Sequence, residues 1–169
     1  LLTALLALFW WRPSVARRTA VALAATGQLL FGLHLLGRTL EEGVLVLGVG
    51  EWSVRSGIIV AVDPLSALMV TLAAGTVLLA ILYGFAESRC VNEHPLRLPL
   101  LQFLLMGINL SFITGDLFNL FVGFEVMLIS SYALLTLEAD DWEVKQAYPY
   151  LALNLIGSNR RLLRDLVTK

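Results

Sequence analysis

Residues 114–135 read TGDLFNLFVGFEVMLISSYALL, and the apolar run that begins at Leu117 continues to Leu137. About 20 apolar residues suffice to cross a hydrocarbon core of about 30 Å. This stretch therefore reads as a spanning helix. Gly115 and Asp116 break the apolar sequence just before it, and an aspartate there suits the cap of the helix start. Inside the run stands one acid, Glu125. At 1.5 Å rise per residue it lies roughly 13 Å beyond Asp116, close to the middle of a bilayer.

The same pattern extends in both directions. Residues 100–114 form an apolar run before the Gly115-Asp116 break, and residues 58–85 form another, interrupted only by Asp63-Pro64. Proline tolerates the first helical turn and aspartate can cap it, so that span is expected to start at Asp63-Pro64. Residues 19–36, extendable to 40, make a further span. Residues 1–11 are apolar and end in the Trp10-Trp11 pair, which fits an interfacial belt. They read as the remnant of a first span, since a cleaved signal peptide would carry a basic region before the run and small residues after it. Residues 148–158 open a sixth run that stops at Asn159-Arg160-Arg161, too short to cross.

The chain is thus expected to be all-α, a polytopic transmembrane helical protein with about five to six spans. Its membrane domain covers residues 1–158. A basic tail at 159–169 reads as truncated or divergent. Between the second and third spans, residues 41–57 are polar and glycine-rich with an alternating stretch at 44–47, which is compatible with a short extramembrane hairpin.

The composition agrees. Of 169 residues, 58% are hydrophobic and 15% charged, and mean hydropathy is +0.80, whereas soluble domains carry roughly 25% charged residues. The formal net charge is -1 and the 12 basic residues are scattered, which argues against a nucleic-acid partner. Cys90 is the single cysteine. With no second thiol and no Cys/His cluster at ligand spacing, neither a disulfide nor a metal site is expected. No phosphate loop, nucleophile triad or paired catalytic carboxylates are recognisable, and no cofactor is expected.

Arg12, Arg17 and Arg18 stand between the first two spans without an acid, whereas residues 37–57 mix Arg38 and Arg55 with Glu41, Glu42 and Glu51. The positive-inside rule then places the first loop in the cytoplasm. Alternation puts 37–57 outside, 87–98 inside, Gly115-Asp116 outside and the acidic connector 138–146 inside.

Glu125 is the residue most able to carry chemistry. An intramembrane carboxylate costs about 3 kcal/mol or more unless paired, protonated or hydrated, so such acids are read first as proton or ion sites. The competing reading is a neutral interhelical hydrogen-bonding residue. Phe118, Phe121, Leu128, Ile129 and Tyr132 share its face of the helix, and Asp116 points to the opposite side. His34, near the end of the second span, could titrate but reads better as an interfacial anchor. Asn109, Ser111, Asn119, Ser130, Ser131 and Asn154 read as groups that hold helices together.

Residues 114–135 closely resemble the fifth transmembrane helix of the D subunit of multisubunit Mrp-type sodium/proton antiporters. Residues 57–69, GIIVAVDPLSALM, resemble the start of the same family's third helix, and Asn154-Leu-Ile-Gly157 its sixth. The related subunits of respiratory complex I usually carry tryptophan before the fifth-helix glutamate. Here Phe124 precedes Glu125, which favours the antiporter branch.

The resemblance implies a fold of about fourteen helices in which Glu125 pairs with a lysine on the seventh helix. It also implies partner membrane subunits, protons and sodium as the transported ions, and a multi-pass location in the plasma membrane. Two alternatives remain: a proton-pumping subunit of an NADH:quinone oxidoreductase or membrane-bound hydrogenase, and a truncated remnant that does not transport. Without the paired lysine, residues 1–169 alone are not expected to exchange ions.

Overall fold

The computed structural model describes residues 15–49, 58–87 and 94–137, with the isolated positions Lys145, Pro149, Ala152 and Gly157. The expected first span, the sixth apart from Pro149, Ala152 and Gly157, the acidic connector apart from Lys145, and the 159–169 tail lie outside the described residues. Four helices and one hairpin make up the described part. Helix α1 is Val15–Glu42, strands β1 and β2 are Leu45–Val49 and Ile58–Val62, and helices α2, α3 and α4 are Pro64–Glu87, Arg97–Ile113 and Leu117–Thr136.

Helix α1 starts four residues before the apolar run does, so Arg17 and Arg18 are helical rather than in a loop. The reason is tertiary. Arg17 is 1% exposed and its Nη1 donates to the Pro95 carbonyl at 3.1 Å, while the Arg18 guanidinium lies 5.0 Å from the Phe85 ring centre. Charge marked these residues as extramembrane, but their stems and partners let them begin the helix. At its other end α1 closes on Gly43, whose φ of 81° favours a residue without a Cβ and whose N–H reaches the Thr39 carbonyl at 3.0 Å.

A hairpin is present but is not confined to residues 41–57 as expected: its second strand, Ile58–Val62, comes from the apolar run that leads into α2. The strands pair antiparallel, Leu45 opposite Val62 and Val49 opposite Ile58. The turn between α3 and α4 docks on the same strand, with Gly115 N–H donating to the Ile59 carbonyl at 2.8 Å. One end of all four helices is thereby tied to a single small sheet.

Helix α2 begins where Asp63-Pro64 predicted. Asp63 Oδ1 accepts from Ser66 N at 2.6 Å. The Ser66 side chain and then its backbone N–H hold the Asp63 carboxyl below the usual carboxylate value. Because the folded value is lowered, the cap's contribution is fully present above the unfolded pKa of about 4 and is lost as pH falls through the folded value. Acidification below pH ~4 should therefore depress the thermal midpoint of the detergent-purified protein more in the wild type than in Asp63→Asn, which does not titrate. Equal falls would show that the cap carries no pH-dependent stability.

Helices α1 and α2 pack as one pair and α3 and α4 as another, with α3 also against α2. A core of Val21, Ala25, Val77, Ile81, Leu98 and Leu105 forms where α1, α2 and α3 meet. Around it the ordinary distribution is inverted. Arg17, Thr39, Gln102 and Asn119 are buried, whereas Leu23, Leu30, Leu65, Leu72, Leu79, Phe118 and Ile129 are exposed. Large apolar side chains on so many outward positions need lipid as solvent. Among the described residues three helices are long and apolar enough to cross a membrane, those centred on α1, α2 and α4, and the 17-residue α3 is a shorter apolar helix. This is a membrane protein.

Candidate functional site

Helix α4 carries the site. Asp116 caps it as expected, its carboxylate accepting from Phe118 N at 3.4 Å. The helix buries Asn119, Gly123 and Ser130, which recur at helical spacing and form the face turned to α3. Successive residues are about 100° apart around a helix, so Glu125 projects roughly 160° away from Gly123. Its side chain is half-buried. Of the residues that share its face, Phe118 and Ile129 are exposed and Phe121, Leu128 and Tyr132 are half-buried.

What fixes α4 against α3 is backbone contact. A Cβ added at Gly107 would stand 2.7 Å from Met127 N, 2.9 Å from the Gly123 carbonyl oxygen and 3.0 Å from Met127 Cα. One added at Gly123 would stand 2.7 Å from Ser111 Oγ and 3.1 Å from Ser111 N. Close crossings of this kind drive helix association in lipid, where apolar burial contributes little. Helices α1 and α2 repeat the device, since a Cβ at Gly32 would meet Thr71 Oγ1 at 2.9 Å and Thr71 Cα at 3.2 Å.

The polar groups expected to join helices behave in two ways. Ser111 Oγ donates to the Gly107 carbonyl at 2.8 Å and Ser131 Oγ to the Leu128 carbonyl at 3.0 Å, both within their own helices. Asn119 and Ser130 do lie in the α3–α4 seam. Sequence reading missed the bond that crosses between helices, from Gln28 Nε2 on α1 to Gln102 Oε1 on α3 at 3.3 Å. The signal was present, an amide side chain within each of two apolar runs. Gln28 Oε1, Asn109 Oδ1 and Asn119 Nδ2 are buried without a hydrogen-bond partner among the described residues. Gln102 and Asn109, seven residues apart, share one face of α3. His34 is exposed on α1.

No family profile matches the chain. Individual relatives do. The chain is 34% identical over 142 residues, 84% of its length, to the D subunit of the Na+/H+ antiporter of Alkalihalophilus pseudofirmus. It is 33% identical over 159 residues, 94% of its length, to the corresponding protein of Bacillus subtilis. The chain belongs to the family of antiporter D subunits. It is also 40% identical over 130 residues to a Rhizobium meliloti protein named as the D subunit of a probable K+/H+ antiporter. The aligned part spans 29%, 32% and 24% of these three relatives, less than a third of their length.

Two solved structures share the fold. The Mrp complex from Dietzia sp. superposes with a TM-score of 0.80 at 27% identity, covering 96% of this chain and 31% of that one. A membrane-bound sulfane sulfur reductase, an archaeal respiratory membrane complex, gives 0.83 at 24% identity over 95% of this chain and 34% of its own. The second likeness is one of fold. Together they show that the antiporter-like membrane architecture expected from residues 114–135 is the architecture the chain adopts.

Proposed function

We propose that this chain forms part of a membrane subunit of a multisubunit cation/proton antiporter, a multi-pass protein of the plasma membrane that works with other membrane subunits. In this reading Glu125 is the proton-transfer carboxylate. The observation that carries it is the placement of one acid midway along the 20-residue apolar helix α4, in a chain that belongs to the antiporter D-subunit family.

A carboxyl at that depth has two states of comparable cost only if something stabilises the charged one. Proton transfer uses that balance. A cationic partner near an intramembrane carboxyl favours its charged form, and withdrawing the partner favours the neutral one. The resemblance supplies such a partner in a lysine of the seventh helix, and coupling then amounts to moving that pair together and apart.

Sodium is the cation we assign, on the names of the first two relatives, and potassium is the competing reading because of the third. The test uses everted vesicles containing the complete subunit within its assembly, with a respiration-driven pH gradient followed by an acridine dye. Sodium chloride should collapse the gradient, and choline chloride should leave it intact. Collapse by potassium alone would reassign the cation. No collapse by either, with the assembly present at normal abundance, would end the antiporter reading.

A further inference from the structure

We infer that Gly107 and Gly123 are positioning residues for Glu125, the α3–α4 backbone contact setting where the carboxyl stands in the membrane. The inference rests on the proposed role of Glu125 and adds to it the groups that hold that residue in place.

The geometry is specific. Two of the three atoms nearest a Gly107 Cβ are the Gly123 carbonyl oxygen and Met127 N. These are the acceptor and donor positions of one i to i+4 helical hydrogen bond, and Glu125 lies midway between them in sequence. Gly107 thus rests on the very turn of α4 that carries the carboxyl. Glu125 projects from the far side of that turn, roughly 160° round from Gly123. Anything that thickens α3 at residue 107 pushes the turn along the direction in which Glu125 points.

The atoms in the way at Gly107 are all backbone, so no side-chain rotation can make room. Contact at 2.7 Å has to open to the 3.4 Å or more of ordinary van der Waals separation, and only a shift of one helix against the other does that. The obstacle at Gly123 is different. Its nearest neighbour is Ser111 Oγ at 2.7 Å, a side-chain atom, with backbone atoms at 3.1 and 3.2 Å behind it. A methyl there is partly relieved by deleting the serine side chain. The two glycines therefore predict different rescue behaviour, which a general loss of stability does not.

The experiment measures exchange per assembled complex, and the pH at half-maximal rate, in everted vesicles carrying the complete subunit in its assembly. Gly107→Ala is expected to lower the rate roughly tenfold, since displacements near 1 Å at a reacting group cost one to two orders of magnitude. It should also displace the pH midpoint, and adding Met127→Ala should restore neither. Gly123→Ala should show a smaller displacement that Ser111→Gly reverses in part, since backbone atoms remain at 3.1 and 3.2 Å. Gly27→Ala, where an added Cβ meets nothing within 4 Å, should match the wild type.

A wild-type rate and midpoint per complex in Gly107→Ala would overturn the inference, as would a loss explained wholly by reduced assembly. If Gly107→Ala does not assemble, Gly123→Ala with and without Ser111→Gly decides: an unchanged midpoint in both overturns it. An inactive Glu125→Gln beside glycine variants with a wild-type midpoint defeats this inference alone. An active Glu125→Gln with an unaltered pH profile defeats it together with the proposed role of the glutamate.

Discussion

Replacing Glu125 by glutamine in the complete subunit is expected to abolish cation-driven proton flux while leaving the assembly intact. The amide copies the shape of the carboxyl and keeps hydrogen-bonding capacity, but it can neither release nor accept the proton. General acid–base groups contribute roughly 10²- to 10⁴-fold to a proton transfer, so the residual rate should fall to background. Stability should move the other way or not at all, because a neutral amide removes an intramembrane acid whose ionised form costs about 3 kcal/mol at mid-helix. That opposition between lost activity and retained fold separates a functional carboxyl from a structural one. Glu125→Asp keeps the charge and shortens the reach by one methylene, and part of the activity should survive. Growth of an antiporter-deficient host is the simplest measurement. Wild-type salt tolerance of Glu125→Gln at normal expression would sink the assignment.

The parts of this site that could be read from sequence are those set by local chemistry. Asp116 caps α4 because an aspartate before an apolar run satisfies the first free N–H groups, whatever the rest of the chain does. Asp63-Pro64 opens α2 for the same reason. Glu125 stands out because the bilayer makes any mid-span acid conspicuous. Ile58–Val62 was harder, since a short apolar run before a helix has no periodicity of its own. It becomes a strand only because residues 45–49 pair with it.

The features that escaped are tertiary. Gly107 and Gly123 look alike with any other glycine in an apolar run; only the α3–α4 crossing shows that neither has room for a methyl. Ser111 and Ser131 read as groups that join helices, yet the hydroxyl of each bonds back to its own helix, and Ser111 meets α4 by packing against Gly123. Gln28 and Gln102 make the interhelical bond instead, 74 positions apart. Low dielectric favours whichever polar groups face each other at depth, and sequence does not say which faces meet.

Arg17→Ala is expected to be the most damaging change at the opposite end of the helices from the hairpin. Arg17, Arg18 and Arg97 gather there on the last turn of α2 and the approach to α3. Arg17 donates to the Pro95 carbonyl, Arg18 stacks on Phe85, and the Arg97 guanidinium lies 3.7 Å from the place a Gly84 Cβ would occupy. A helix C-terminus concentrates partial negative charge on its free carbonyls, so cations there are stabilised by the fold itself. Arg17 is the one fully buried, at 1% exposure, and it joins α1 to the segment leading into α3. A hydrogen bond from a charged donor contributes about 1.5–3 kcal/mol, and the buried stem adds packing that alanine cannot replace. Against this, removing the charge also removes its desolvation cost. A net loss of about 2 kcal/mol is expected from the balance of these terms. Arg17→Lys should fall between, since an ammonium keeps the charge without the planar fork. Arg18 is also buried, at 9% exposure, and a desolvated cation–π contact contributes about 2 kcal/mol, so Arg18→Ala should cost no more than Arg17→Ala. Thermal midpoints of the purified assembly in detergent rank the three variants. An Arg18→Ala midpoint below that of Arg17→Ala, or an Arg17→Ala midpoint equal to wild type, would show that burial of Arg17 does not anchor α1 to the start of α3.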